Sequence, residues 1–289
     1  PDSKSNQLFS TKSGYFGLIE DINYYGKLIL KTAKEKIGEY YPQVTINTDK
    51  ISGNFNVNAW IWTRTVECPN PGCKCKTPII RSFLLSKKEN NNTWVEPVRK
   101  GVEIDFQIKS GNGEIPEGTI RNRQIYCYFC NETISFNYVK KEGNKGKLSN
   151  VLLAVVGKTK KGCVFLPPGD MRYLQSLPKT DFLRDIPFNT ISGYLNPPLY
   201  GFNKVGDLFT DRQRLAIETF SNLIKENETQ IREETSDENY IKAISVYLTL
   251  CVGKLANRLS SFSIWNTFNR NIEQGFSEQG MGMTWDFAE

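Results

Sequence analysis

Two short cysteine pairs, Cys68-Pro-Asn-Pro-Gly-Cys73 and Cys127-Tyr-Phe-Cys130, decide what this chain is built around. The Pro, Asn and Gly residues of the first pair and the close spacing of the second predict tight turns. Each turn can aim two thiolates at one point, and four thiolates complete a tetrahedral zinc site. The sequence therefore predicts one zinc ion bound by these four cysteines, on two knuckles that face each other as in a zinc ribbon.

The gap between the pairs is long, since 53 residues separate Cys73 from Cys127. A compact ribbon has roughly 15–20 residues there, so we expect an insertion of several strands. Buried free cysteines and a disulfide are the alternative interpretations. Cys75 competes with Cys73 as a ligand, and we favour Cys73 because Cys75 begins the following strand. Cys163 and Cys251 stand in apolar runs, which predicts ordinary core residues.

The chain contains no histidine. This excludes an imidazole general base, Ser-His-Asp and Cys-His catalysis, HExxH metalloproteases and a catalytic zinc site with histidine ligands. A site of four thiolates also has no open position for water. The predicted zinc is therefore structural, and the sequence offers no catalytic residue.

Length and composition set the outer limits of the interpretation. With 289 residues, 39% of them hydrophobic, the chain can bury one large core or two modest ones. No apolar run approaches the roughly 20 residues that span a bilayer, so no membrane partner is expected. Seven cysteines with metal-type spacing predict a reducing, cytoplasmic location. The chain begins with Pro1 and ends in an apolar segment, so we expect a fragment of a larger protein.

Hydrophobic periodicity predicts an α+β fold with an N-terminal helix, a strand-rich zinc-ribbon region with long inserted hairpins, and a helical C-terminal region. A stripe at steps of three and four predicts a helix over 15–39, while a capping box at Thr210-Asp-Arg-Gln213 opens a helix to about 234, followed by another over 237–257. Between them the period changes to two, which predicts strands at 60–66, 79–85, 93–98, 102–108, 134–138, 152–156 and 164–166. The predicted segments are 1–55, 56–166, a proline-rich connection at 167–205, and 206–289.

Charge is segregated although the net charge is only +6. Seven lysines and a single acid lie between Lys140 and Lys161, whereas the stretch 207–240 carries nine acidic and four basic side chains. Basic residues interleaved with aromatic rings are typical of nucleic-acid contacts. The predicted contacts with DNA are Arg121, Arg123, Lys140, Lys141, Lys145 and Lys147 on phosphates, and an exposed Tyr128 or Phe129 on a base. A solvated lysine-rich loop is the alternative.

The segment Asn196-Pro-Pro198-Leu-Tyr200 is similar to the motif with which amino-group DNA methyltransferases hold a flipped base. Its fourth residue is Leu199, and an aliphatic side chain cannot supply the aromatic stack that the motif needs. No glycine-rich cofactor turn or P-loop occurs either. We interpret the segment as a connection before the helical region.

Four blocks of the chain together resemble a known family. They are Trp62-Thr-Arg-Thr-Val-Glu-Cys68-Pro-Asn-Pro-Gly-Cys73, Pro78-Ile-Ile-Arg-Ser-Phe-Leu-Leu-Ser-Lys-Lys88, Tyr200-Gly-Phe-Asn-Lys-Val-Gly-Asp-Leu-Phe-Thr-Asp-Arg-Gln213 and Met283-Thr-Trp-Asp-Phe-Ala-Glu289. In this order they resemble the zinc-ribbon-containing adenine-specific DNA methylases with an N-terminal DUF1156 domain. The resemblance departs in Lys74 and Cys75, where small residues are usual, and in the Tyr-Phe of the second knuckle.

The resemblance implies an insertion between the motif that binds S-adenosylmethionine and the catalytic motif, both of which lie outside this chain. It carries over Cys68, Cys73, Cys127 and Cys130 as zinc ligands and no catalytic residue. We therefore expect the DNA-recognition portion of a DNA methyltransferase, inactive alone, with DNA and the remainder of the methyltransferase as partners. The alternative is a non-enzymatic zinc-ribbon module that docks a protein through the acidic helix at 210–234.

Overall fold

The computed structural model describes residues 15–48, 51–89, 91–160, 162–169, 177–178, 180–188, 194–276 and 280–289. Over these residues the fold is α+β, as the periodicity predicts, with helices at both ends of a strand-rich region. The helices are α1 (Tyr15–Ile37), α2 (Phe136–Asn144), α3 (Asp211–Glu234) and α4 (Glu238–Arg258). None of these described helices has the length and hydropathy needed to cross a bilayer.

The described strands range from two to eleven residues, and all of their pairings are antiparallel. They are β1 (Val44–Thr48), β2 (Ile51–Phe55), β3 (Val57–Glu67), β4 (Lys76–Pro78), β5 (Leu84–Ser86), β6 (Asn92–Lys100), β7 (Glu103–Gly111), β8 (Ile120–Arg121), β9 (Gln124–Tyr126), β10 (Thr133–Ile134), β11 (Ser149–Thr159), β12 (Gly162–Leu166), β13 (Trp265–Asn266), β14 (Asn271–Ile272) and β15 (Asp286–Ala288).

Strand β3 is the centre of the largest sheet. Strand β11 pairs along one edge of β3, from Thr65 opposite Ser149 to Val57 opposite Gly157, and β12 lies outside β11. The other edge of β3 is shared by β15, opposite residues 61–63, and by β4, opposite residues 65–67. The end of β3 therefore leads straight into the first cysteine pair.

The inserted strands form a second layer. Strands β5, β6 and β7 make a three-stranded sheet, and its Val95 and Phe106, together with Phe83 just before β5, pack against Ile61 and Leu153 of the central sheet. The opposite face of the central sheet carries Trp60, Leu152 and Val155, which the β1–β2 hairpin covers through Val44 and Ile46. The long gap between the cysteine pairs is thus filled by strands, as expected from its length.

Helices α1, α3 and α4 pack around an apolar core that includes Tyr25, Ile29, Leu223 and Ile244. The predicted capping box is present at the start of α3, where the Thr210 hydroxyl accepts from the Gln213 amide. Helix α1 ends at Ile37 and a 3-10 turn follows at Gly38–Tyr40. All three helices predicted from the sequence are present in this unit.

Two strand predictions are wrong. The segment 134–138 is mostly helix α2, because the Ser135 hydroxyl accepts from the Tyr138 amide at 3.1 Å and caps a helix that the apolar alternation does not reveal. In the segment 79–85 only Leu84 and Leu85 belong to a strand. Residues before them follow an irregular path because the Ile80 amide donates to the side chain of Thr119 at 3.0 Å.

The connection 167–205 lies partly outside the described residues. Its described end contains the 3-10 turn Pro197–Tyr200, and a further turn, Val205–Leu208, leads to α3. Pro197, Pro198 and Tyr200 are buried, and the Tyr200 ring meets Trp285 edge-to-face at 5.0 Å between centroids. The Asn-Pro-Pro-Leu-Tyr segment is therefore a packed turn here, with Leu199 on its exposed side.

Candidate metal centre

The first knuckle is a turn between β3 and β4. The Asn70 side-chain oxygen accepts from the Gly72 amide at 2.9 Å, and the Asn70 carbonyl accepts from the Cys73 amide at 2.9 Å. The Cys68 amide donates to the Cys75 carbonyl at 3.0 Å and closes the turn. Asn and Gly stabilise such turns through their side-chain oxygen and backbone freedom, so the local sequence holds the two thiols of this knuckle together.

The second knuckle joins β9 to β10. The Cys127 amide donates to the Glu132 carbonyl at 2.8 Å, and the Cys127 carbonyl accepts from the Asn131 amide at 2.9 Å. Asn131 has a φ of +58°, a left-handed conformation that Asn tolerates better than most residues. The turn therefore places Cys130 beside Cys127 and directs both side chains toward the first knuckle.

The four thiols form one compact cluster. Their Sγ atoms all lie within 4.8 Å of one another, with 3.6 Å between Cys68 and Cys130 and 3.8 Å between Cys73 and Cys127. A tetrahedral zinc with Zn–S bonds of about 2.3 Å places sulfurs about 3.8 Å apart. The donor set and its spacing therefore fit one tetrahedral metal ion, and four protein ligands leave it no open position for substrate.

Cys75 lies outside this cluster. Its thiol is buried and donates to the Cys73 carbonyl at 3.4 Å and the Gly101 carbonyl at 3.6 Å. Lys74, between the two cysteines, has a φ of +49°, which turns the chain so that Cys73 alone joins the other three ligands. The position of the Cys75 thiol therefore favours Cys73 over Cys75 as the fourth ligand of a metal ion.

The surroundings shift the pKa values of the cysteine thiols in opposite directions. Burial raises the pKa of Cys68, and it also raises the pKa of Cys75 to about 11. Burial acts in the same direction on Cys73, but hydrogen bonds from Cys75 and the neighbouring thiols outweigh it and lower its pKa to about 7. Since a metal binds the thiolate form, the cluster binds a cation only with release of protons.

Two contacts to the thiols were not predicted from the sequence. The Thr77 hydroxyl donates to the Cys127 sulfur at 3.2 Å, and the Asn70 side-chain amide lies 3.9 Å from the Cys130 sulfur. Donors of this kind orient metal ligands and stabilise their charged form. Asn70 lies inside a cysteine pair and could have been found there, whereas Thr77 depends on the pairing of β3 with β4.

The predicted base-stacking residues lie beside the cluster and are half-buried. The Tyr128 ring packs edge-to-face on Phe83 at 5.6 Å and on Phe129 at 5.3 Å. The Arg99 guanidinium lies 5.7 Å from the centre of the Phe129 ring. Both rings are thus packed partly into the neighbouring core, and Arg99 adds a positive charge that the sequence did not point to.

Arg121 and Arg123 occupy the hairpin between β8 and β9. Asn122 and Arg123 both have positive φ, 48° and 61°, which puts the exposed Arg123 side chain at the tip of a tight turn. The Arg121 guanidinium lies 4.6 Å over the Tyr126 ring and donates to Glu117 and Asn131. Arg123 therefore projects into solvent while Arg121 is held against the protein.

The lysine-rich stretch is a helix and a turn, not only a loop. Lys140 and Lys141 lie on α2, and Lys140 is 5.7 Å from the centre of the Tyr200 ring. Lys145 and Lys147 follow the helix and pair with Glu142 at 2.7 Å and 3.7 Å. Chiefly through its hydrogen bond with Lys145, this arrangement lowers the pKa of the Glu142 carboxyl.

The remaining lysines of the stretch are distant in space. Ser149 and Lys158 lie near opposite ends of β11, roughly 30 Å apart at the usual rise of a strand. Lys160 follows β11, and Lys161 lies outside the described residues. The first four lysines thus lie on or just after α2, whose Val139 packs in the same apolar cluster as Cys127, whereas Lys158 lies near the far end of β11.

The two remaining cysteines, Cys163 and Cys251, differ in their exposure to solvent. Cys163 is half-buried and packs against the core of the central sheet. Cys251 is exposed, so its prediction as a core residue is wrong. It lies on α4 at an open apolar groove that α1 and α3 also line.

Comparison with known proteins provides no relative for this chain: no family model matches it, and neither a curated protein nor a solved structure is significantly similar to it.

Proposed function

We propose that this chain is the zinc-ribbon, DNA-recognition portion of an S-adenosylmethionine-dependent, adenine-specific DNA methyltransferase, and that it is not catalytically complete alone. The observation that carries the proposal is the four-thiol cluster with basic side chains beside its second knuckle. Zinc is the proposed metal because an all-sulfur tetrahedral donor set suits it best. Its role is to hold the two knuckles together.

The proposed DNA surface is formed by Arg121, Arg123, Lys140, Lys141, Lys145 and Lys147. Arg123 and Lys141 are exposed, and the described residues provide neither with a salt-bridge partner. Lys145 and Lys147 share a single carboxylate, that of Glu142. Positive charge therefore exceeds negative charge on this face, which favours phosphate binding with release of counterions.

Charge reversal tests the DNA surface. The variant Lys140→Glu, Lys141→Glu, Lys145→Glu is compared with a control triple, Lys225→Glu, Lys242→Glu and Lys254→Glu, on exposed positions of α3 and α4. Both variants change the net charge equally. We expect the first to weaken duplex binding strongly and to reduce the salt slope by about one unit for each lost contact.

The control triple should have a smaller effect on affinity and none on the salt slope. Equal losses in the two variants would mean that only net charge matters. An unchanged affinity and salt slope in the first triple, with zinc content and circular dichroism preserved, would overturn the proposed DNA contact.

The catalytic part of the proposal has its own test. We expect the chain alone neither to bind S-adenosylmethionine nor to methylate DNA, because it has no glycine-rich cofactor turn and has Leu199 where an aromatic ring would stack. Transfer of a labelled methyl group to DNA by this chain alone would contradict this. The proposed compartment is the reducing cytoplasm, where the four cysteines stay available as thiolates.

A protein-docking module is the second candidate function. The observation that favours it is an apolar groove of about 290 Å³ between α1, α3 and α4, lined by residues that include Leu30, Ile224 and Cys251. Helix α4 contributes Leu248, Val252 and Leu255 to this groove as well. Salt separates the two functions, because DNA binding weakens steeply as salt rises whereas an apolar interface does not.

A further inference from the structure

A cleft of about 320 Å³ opens between β15, the irregular segment before β5, and the segment leading into β13. Its walls include Phe83 and Trp265, and its polar groups include Asp286, Arg81 and Ser82. Its size lies at the lower end of the range for small-molecule sites, and a few polar groups among apolar walls are typical of such sites. The cleft is separate from the thiol cluster.

The Asp286 carboxyl is the most distinctive group in this cleft. Its own backbone N–H donates to it, and the part of the chain that the structure describes shows no hydrogen bond to it from another residue. Burial raises its pKa to about 6, against the opposing charges of Arg81 and Arg64. A carboxyl with open acceptor positions at the edge of a cavity calls for a ligand that donates N–H groups.

The charges around Asp286 restrict the kind of ligand that can donate a hydrogen bond to its carboxyl group. Arg64 is fully buried, donates to the Thr284 and Ser261 carbonyls at 3.0 Å, and so supplies a fixed positive charge behind the cleft. Arg81 is exposed at the mouth of the cleft, with no salt bridge among the described residues. Two guanidinium groups and one carboxylate give this region a net positive charge, which disfavours a cationic ligand. They favour a ligand whose N–H donor is uncharged and whose anionic group lies elsewhere in the molecule.

The walls of the cleft suit a flat ring. The Trp265 side chain is fixed because its Nε1 donates to the Leu85 carbonyl at 2.7 Å and its ring packs edge-to-face on Phe165 at 6.1 Å. Phe83 also lines the cleft; it is buried, and its ring contacts Tyr128 of the second knuckle. A planar heteroaromatic ring therefore finds preformed apolar surface, beside a carboxyl that accepts from its amino group.

The mouth of the cleft continues into the proposed DNA surface. Ser82 forms a β-bridge with Glu117, and the Glu117 carboxylate binds Arg121. Gly118 approaches the Arg81 carbonyl so closely that an added Cβ would lie 2.1 Å from that oxygen. The position of Arg81 is therefore fixed by the same segment that leads into the β8–β9 hairpin.

We propose that this cleft binds one unstacked nucleotide whose base carries an amino group, with the amino group on Asp286 and the phosphate on Arg81. The inference rests on the proposed DNA contact and extends it, since the nucleotide would come from DNA held by the basic surface. Adenine and cytosine present such an amino group, whereas thymine presents a carbonyl oxygen in its place.

Free mononucleotides test the cleft independently of the basic surface. Saturation-transfer NMR is run on the zinc-loaded chain with the monophosphates of deoxyadenosine, deoxycytidine and thymidine. We expect the first two to bind at least five-fold more tightly than thymidine monophosphate. Equal binding of all three, or no binding of any, would overturn the inference.

Substitutions at Asp286 and Arg81 test which groups bind the nucleotide. Asp286→Leu should abolish the preference for amino-bearing bases, and Asp286→Asn, which offers an N–H donor, should move it toward thymine. The Asn variant keeps the shape of the side chain and serves if the Leu variant does not fold.

The Arg81→Ala variant should bind the monophosphates more weakly but bind deoxyadenosine, which has no phosphate, as well as the unchanged protein does. Asp181→Leu, at an exposed ion pair with Arg184, is the control. An unchanged preference in both Asp286 variants contradicts the assignment.

A DNA experiment separates this inference from the proposed function. Duplexes with one unpaired deoxyadenosine or one unpaired thymidine are compared with a fully paired duplex. We expect the adenine bulge to bind at least five-fold more tightly than the thymine bulge, and Asp286→Leu to remove that difference without changing paired-duplex affinity. If DNA binds without base preference, the cleft inference fails alone. If mononucleotides show the preference but DNA does not bind, the proposed function fails and the cleft is a site for free nucleotides.

Discussion

The guanidinium of Arg212 and the carboxylate of Glu289 form a two-point ion pair in the protein interior, with Nε to Oε1 at 2.9 Å and Nη2 to Oε2 at 3.1 Å. The carboxylate also accepts from the Thr210 hydroxyl at 2.7 Å and from the Trp62 indole at 3.0 Å. The guanidinium lies 4.1 Å over the Trp60 ring. The pair thereby joins the start of α3 to the centre of the main sheet.

We expect Arg212→Ala to lower the free energy of unfolding by about 3–5 kcal/mol, because it leaves a buried carboxylate without its cation. Arg232→Ala, which breaks an exposed pair with Glu238, is the control and should cost less than about 1 kcal/mol. Urea unfolding followed by circular dichroism measures both values. Similar values in the two variants would show that the interior pair contributes no more than a surface pair.

The thiol cluster predicts different outcomes for two neighbouring cysteines. Cys127→Ala removes a ligand, so we expect loss of the metal and unfolding of the knuckles, since such sites couple binding to folding. Cys75→Ala should keep one zinc per chain, because its thiol lies outside the four-thiol cluster and donates to the Cys73 and Gly101 carbonyls. Metal analysis and thermal unfolding check both. A folded, metal-free Cys127→Ala protein, or loss of zinc from Cys75→Ala, would contradict the assigned ligand set.

The titration of Asp286 predicts a pH-dependent stability. Its folded pKa of about 6 lies above the ordinary value of 3.8, so the folded state holds the proton more tightly than the unfolded state. Stability contributed by the protonated form is complete below about pH 4 and is lost as the pH rises through 6. Asp286→Asn should therefore be more stable than wild type by up to about 3 kcal/mol at pH 8 and equal to it at pH 4.

Thermal unfolding of the Asp286→Asn variant at both pH values measures this difference. Arg81 and Arg64 are the charges that act on the carboxyl. Asp181→Asn, which breaks an exposed ion pair with Arg184, is the control substitution. A variant that is less stable than wild type at pH 8 would show that the carboxylate is stabilised, not penalised, by its surroundings.

The features that the sequence predicts well depend on residues that are close together in the chain. Both cysteine knuckles depend on turn residues within five positions of the thiols, and the Thr210 capping box depends on a residue three positions away. Helix α2 was missed because one cap, Ser135, outweighs the apolar alternation of 134–138. The choice between Cys73 and Cys75 needed the positive φ of Lys74, which no residue pattern shows.

What the sequence cannot predict depends on contacts between distant segments. Glu289 meets Arg212, 77 positions earlier, and nothing near either residue indicates the pair. The lysines between 140 and 161 are contiguous in sequence, yet β11 separates Lys158 from the others. The cleft at Asp286 combines three separate segments, so it too is visible only in the fold.

Helix α2 and the Pro197–Tyr200 turn are in close contact at Gly143. A Cβ added at Gly143 would lie 2.3 Å from the Tyr200 carbonyl oxygen, a backbone atom that cannot rotate away. We expect Gly143→Ala to destabilise the protein by about 1–3 kcal/mol, because the helix and the turn must move apart. The same movement would take Lys140 away from the Tyr200 ring.

Gly253→Ala is the matched control for this substitution. Gly253 also lies in a helix, α4, but an added Cβ there meets no atom of the described structure within 4 Å. Since alanine favours helix by about 1 kcal/mol over glycine, Gly253→Ala should stabilise the protein by a similar amount. Urea unfolding of both variants gives opposite signs if the contact at Gly143 is as close as the structure shows. Stabilisation by both substitutions would mean that α2 and the turn have room for a methyl group between them.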